Sequence, residues 1–142
     1  MSTNVATITA KVKSLLGTLE SLKAVYDYSI DLTAGYPCAV VRDGGWRAEF
    51  SDTQRNRRVY TIEVYLFQEF GEAGFTAEKA ARVLRELQDE VITLFDTNIT
   101  LDGTVLFVEP ISGTPVRTED RPEKTLGVIV TIECTKLVTR TA

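Results

Sequence analysis

The sequence contains no histidine. That removes Ser-His and Cys-His nucleophile pairs, His-ligated zinc and the usual general base near neutral pH. Any catalysis would have to rest on carboxylates, Lys, Tyr or Cys. Cysteine is scarce as well, with only Cys38 and Cys134 and no CxxC spacing, so zinc binding and thiol redox chemistry have no support. Both sit among apolar residues, Pro-Cys-Ala-Val-Val and Val-Thr-Ile-Glu-Cys-Thr, and read as reduced core thiols. A disulfide between their two strands is the alternative. No apolar run approaches the ~18 residues of a membrane span. The first residues, Met1-Ser-Thr-Asn-Val, lack the basic start and apolar core of a signal peptide, so an intracellular or otherwise soluble setting is expected. Excess positive charge is missing too. A net charge of −4 argues against a general affinity for nucleic acid or anionic membrane, though not against a local basic site.

What is present is the composition of one soluble globular domain: 142 residues, 44% hydrophobic and 25% charged. A chain of that size buries roughly 68–70% of its unfolded surface. Asn4 to Lys23 carries Val5, Ile8, Val12, Leu15, Leu16, Leu19 and Leu22 at helical spacing, with Thr3 or Asn4 as a cap. Val25 to Tyr36 alternates weakly and reads as a short strand or an ordered loop. Cys38–Val41 and Trp46–Ser51 read as strands joined by an Asp43-Gly44-Gly45 turn, a hairpin signal. Arg55 to Gln68 is the clearest element, with Tyr60, Ile62, Val64 and Leu66 on one face and Val59, Thr61, Glu63, Tyr65 and Phe67 on the other. After a Gly71–Phe75 break, Thr76 caps a second amphipathic helix, Ala77–Phe95. A strand near Thr104–Glu109 and a last one, Thr125–Leu137, complete the chain. Between them lies Pro110–Lys124, with three of the four prolines, longer than most connectors and for that reason a candidate functional loop. The expected fold is α+β, a single domain over residues 1–142. It has a mostly antiparallel sheet of about five strands and two amphipathic helices on one face, in the order α-β-β-β-α-β-β.

No residue pattern points to catalysis, and no cofactor or metal ligand set emerges. Gly71-Glu-Ala-Gly74 precedes a helix but lacks Gly-Lys-Ser/Thr, and Glu72 puts negative charge where phosphate would sit; a plain turn is the better reading. Glu119 and Asp120 have no apolar pocket to raise a pKa. Arg55, Arg57 and Arg58 suit a phosphate backbone, an acidic partner or simply a solvated strand start, and alternation sends Arg58 to the opposite face from Arg57. Trp46 beside Arg47 reads either as core or as an interface anchor, since Trp and Arg are enriched at hot spots. The Pro-rich loop with Arg117 and Arg121 is the leading candidate for contact between subunits, because segments that order on assembly wrap their neighbours.

The order of a helix, a three-strand meander, an amphipathic helix and two strands across a long loop resembles the tail-terminator (tail-completion) family of long-tailed bacteriophages. The features carrying the resemblance are the helix Asn4–Lys23, the strand Arg57-Arg-Val-Tyr-Thr-Ile-Glu-Val-Tyr-Leu-Phe, the helix Ala77–Phe95 and the final pair Thr104–Glu109 and Thr125–Leu137. Other phage neck and head-completion proteins share much of this plan. The resemblance implies a non-enzymatic virion protein made in the host cytoplasm. It would form a homo-oligomeric ring, commonly of six copies, on the head-proximal end of the tail tube. Its implied partners are the tail-tube protein and the head–neck connector, with DNA passing through the lumen without sequence-specific binding and no membrane involved. Within that picture Glu49, Glu63 and Glu133, on non-core positions of three strands, would line the lumen and repel DNA. Two other classes compete: a small-ligand or enzyme domain using a pocket between helices and sheet, and a nucleic-acid module built on Arg55–Arg58.

Overall fold

The computed structural model describes residues 5–27, 35–50, 54–71, 75–101, 103–117, 119 and 124–139. The expected caps Thr3 and Asn4, the Glu72–Gly74 turn, Asp120 and Arg121 lie outside the described residues. The elements are α1 (Val5–Leu16), β1 (Ala24–Tyr26), β2 (Cys38–Phe50), β3 (Arg55–Glu69), α2 (Ala77–Thr97), β4 (Phe107–Pro115) and β5 (Thr125–Thr139). One five-stranded sheet runs in the order β1-β2-β3-β5-β4. β1 joins β2 in parallel, and every other neighbouring pair is antiparallel. This is the α+β order expected from the sequence.

β3 and β5 form the spine, paired without interruption from Arg55↔Thr139 to Glu69↔Thr125. Alternation sends Tyr60, Ile62, Val64 and Leu66 of β3, with Val130, Ile132 and Cys134 of β5, to one face. Ile8, Val12 and Leu16 of α1 and Leu84, Leu87, Val91 and Phe95 of α2 close over that face as the main core. α2 begins where expected, because Thr76 Oγ1 accepts a hydrogen bond from the Lys79 amide at 3.2 Å. On its solvent side Arg82 pairs with Glu78 at 2.8 Å, one turn away.

Four expectations are corrected. The Asp43-Gly44-Gly45 segment is a bulge inside one long strand, not a hairpin turn. Asp43 stands opposite Ile62 and Trp46 opposite Tyr60, so Gly44 and Gly45 together face Thr61. Glycine is needed at both positions: a Cβ on Gly44 would meet Thr61 Cγ2 at 2.9 Å, and Gly45 has φ +96°. The extra residue reverses the alternation, placing Trp46, Ala48 and Phe50 on the helix-side face and Arg47 and Glu49 on the far face.

The first helix ends at Leu16 rather than Lys23. Beyond it the chain continues in three-residue turns (Thr18 N to Leu15 O, Leu19 N to Leu16 O, Leu22 N to Leu19 O), which keep Leu19 and Leu22 against the core and preserve the helical spacing. The Pro110–Lys124 loop is shorter than expected, because β4 runs on to Pro115. β4 is an edge strand, where a residue without an N–H is tolerated, and a register shift between Pro110 and Ser112 absorbs the first proline. Finally, the three strands before α2 do not form a meander, because β1 joins β2 in parallel. The far face of the sheet carries apolar side chains as well as polar ones. Cys38, Val40, Tyr65, Phe67 and Val116 make a second, smaller cluster there, flanked by Ala24, Tyr26 and Tyr36.

Phe95 is the largest fully buried side chain, whereas Ile92, one turn earlier on α2, is partly exposed. Phe95→Ala should therefore cost about 3–5 kcal/mol of unfolding free energy. Ile92→Ala should cost about 1 kcal/mol or less, since little apolar surface is lost. Urea titration of the two variants checks the ordering.

Candidate interaction surfaces

The described residues converge on no catalytic constellation. Among them no group of three or more Cys, Asp or Glu is placed to hold a metal ion, and no helix is long and apolar enough to cross a membrane. The hollow beside α1, about 600 Å³, is lined by Ala10, Lys13, Gly17, Leu22 and Asp27. Two of its charged groups face each other, Lys13 Nζ lying 3.8 Å from Asp27, and Lys23 lines it as well.

The first surface is the end of the sheet that the helices do not reach. Past the core row Trp46–Tyr60–Cys134, the rows Ala48–Arg58–Lys136 and Phe50–Asn56–Val138 continue on the helix-side face. Trp46 is 60% exposed and Phe50 75%, so the core reading of Trp46 is overturned. The Arg58 guanidinium lies over the Trp46 ring, 5.6 Å from its centroid, while its Nε is buried without a hydrogen-bond partner. Arg58 does face opposite to Arg57, as alternation requires. Phe50 was not singled out from the sequence: only its place past the last helical contact makes it notable.

The far face of the same strands carries Glu49, Glu63 and Glu133 together, as expected, but among basic residues. Arg47 bridges two of them, 2.7 Å from Glu133 and 3.4 Å from Glu49. The hydrogen bond to Glu133 raises the Arg47 pKa and keeps its cation in place. Arg42, which stands opposite Glu63, stacks on the Tyr65 ring at 4.3 Å. Arg55 and Arg57 extend the same face. The surface expected to be acidic is therefore of mixed charge, because the bulge that places Glu49 there places Arg47 there as well. Ion pairs this exposed contribute little stability. Arg117 is exposed at the other end of the sheet, two residues past Pro115, which pairs with Val128; it does not join the Arg55–Arg58 cluster.

The second surface is a groove of about 480 Å³ between the end of the first helical segment and the C-terminal half of α2. Leu19, Thr93, Leu94 and Thr97 line it together with Asp89 and Glu90. Ser21 Oγ donates to Glu90 at 2.9 Å, tying the two elements across it. From Glu86 to Asn98 the chain has no Lys or Arg, and no basic residue offsets the negative end of the α2 dipole. Helical spacing marks Leu19 and Leu94 as core-facing. That a gap opens between them is a tertiary fact no local pattern carries.

Cys38 and Cys134 are both free and buried. They belong to different clusters on opposite faces of the sheet, which rules out the disulfide. Burial pushes the Cys38 thiol up to about 11 and the Cys134 thiol up to about 12, the latter with help from the Glu133 charge. No protein-family model and no curated protein matches this chain.

Because the fold favours the neutral thiols, their contribution to stability is complete below the ordinary thiol pKa of 9.0 and is lost as pH climbs through about 11 and 12. Near neutral pH neither cysteine should react with iodoacetamide while the chain is folded, and both should react in denaturant. Mass spectrometry of pulse-labelled protein checks both conditions.

Proposed function

We propose that this chain is a structural virion protein of the tail-terminator type. It forms a ring on the head-proximal end of a tail tube, ends tube polymerisation and joins the tail to the head–neck connector. The observation that carries the reading is the element order α-β-β-β-α-β-β with both helices on one face; the meander in the resembling plan is replaced by a β1 that joins β2 in parallel. The reading is supported by the exposed Trp46 and Phe50, an aromatic pair left uncovered at one end of a single chain. Large exposed apolar side chains on one face mark a surface used by another protein. Two sheet edges add to this, since among the described residues β4 has a strand neighbour on one side only and β2 does so beyond Val40, and such edges accept a neighbour's strand.

The mixed far face refines the role of the glutamates. With Arg47 set between Glu49 and Glu133, a lumen lined by this face neither grips DNA nor strongly repels it, and a neutral wall lets a polyanion slide. The lengthened β4 also moves the proposed contact loop to residues 116–124, since Ser112–Pro115 are committed to pairing with β5.

The reading predicts that particles assembled without this chain carry overlong tubes and no heads. Adding the purified protein should restore tube length, with new density at the head-proximal end in electron micrographs. Tubes of normal length in its absence would overturn the terminator role, and density at the capsid portal alone would assign it to head completion. A monomer that ignores tubes and binds a metabolite would favour the small-ligand class, and strongly salt-dependent DNA binding the nucleic-acid class.

A further inference from the structure

The two uncovered surfaces are chemically complementary. On the helix-side face of the free sheet end stand two exposed aromatics, Trp46 and Phe50, with two cations, Arg58 and Lys136, and no carboxylate among the described residues of those rows. The groove between Leu19 and Leu94 presents apolar walls together with carboxylates Asp89 and Glu90, in a stretch of chain without a cation. One surface offers rings and positive charge; the other offers an apolar trough and negative charge.

We propose that a second copy of this chain is the occupant of the groove, seating its Trp46–Phe50 sheet end there with Arg58 and Lys136 against Asp89 and Glu90. This rests on the ring reading above and specifies the contact between its subunits. The choice of a second copy follows from charge: each surface has its complement on the same polypeptide. The Arg58 side chain adds an independent sign. Its Nε is buried and without a partner, and its guanidinium is held over the Trp46 ring, so the group is oriented before any partner arrives. Arg pre-positioned on an aromatic ring loses little freedom when it meets a carboxylate. Opposite charges across the contact would also reject the wrong register, since like charges brought together are costly.

The test is a charge swap in the full chain, read by sedimentation equilibrium and native mass spectrometry. Arg58→Glu and Asp89→Lys should each weaken self-association roughly tenfold or more. The two together in one chain should recover association to within a few-fold of wild type, because the pair is restored with its signs exchanged. Phe50→Ser should weaken association as well. Circular dichroism melts near the wild-type midpoint show that each variant is folded, and the double variant guards against a fold defect posing as a contact defect. Mixing the Arg58→Glu and Asp89→Lys proteins should restore association between unlike chains, since every such junction then joins either the native pair or the exchanged pair.

Assembly of wild type that neither single change disturbs would overturn this contact and leave the ring standing. A double variant no better than either single one would overturn it too. A contact that obeys the swap but stops at two copies would keep the proposal and overturn the ring. A wild-type chain that stays monomeric at every concentration, alone and with tubes, would overturn both.

Discussion

The pairing of β3 with β5 is the constraint on which everything else depends. Fifteen residues on each strand pair in unbroken register, and at ~3.3 Å per residue that makes a ladder about 50 Å long. The helices that cover it are shorter: α2 has 21 residues and α1 has 12, or about 32 Å and 18 Å at 1.5 Å per residue. The core they close over ends at Tyr60 and Cys134, short of the rows through Arg58 and Asn56. One end of the helix-side face is therefore left open, and Trp46, Phe50 and Arg58 stand on it. The exposed aromatics are a consequence of unequal element lengths set by the same sequence.

The Gly44–Gly45 bulge decides what that open end displays. Were the same residues paired with β3 without a bulge, alternation from Val41 would carry Arg47 and Glu49 to the helix side and leave the aromatics on the far face. With it, Trp46 and Phe50 share a face with Arg58, and Arg47 drops between Glu49 and Glu133 on the other side. A single insertion thus sorts aromatic from ionic surface. It also neutralises the glutamate-bearing face, which is why the expectation of an acidic wall gives way to a mixed one.

Much of this was legible in the residues. Val59 to Phe67 and Leu126 to Thr135 alternate so regularly that strand, face and core membership all follow from period alone. Thr76 and the spacing of Ala80, Leu84, Leu87 and Val91 define α2 as plainly. The misreadings share one cause, dependence on a distant partner. Asp-Gly-Gly between apolar runs fits a turn or a bulge equally well locally, and only a β3 long enough to pair with both halves of β2 chooses the bulge. Pro110 and Pro115 look like loop residues until the sheet order makes β4 an edge. Trp46 is ambiguous on composition, and its fate depends on where the helices stop. The groove by Leu19 and Leu94 has no local signal, since both residues have the spacing of core positions.

The central claim is that the end of the sheet left open in one chain is closed by another. Hydrogen exchange of the free and assembled protein tests it most directly. The ladder amides from Val59 to Phe67 should exchange slowly in both states, while Trp46 to Phe50 should exchange fast in the free chain and slow markedly on assembly. Exchange at Trp46–Phe50 that is the same before and after assembly would contradict the account.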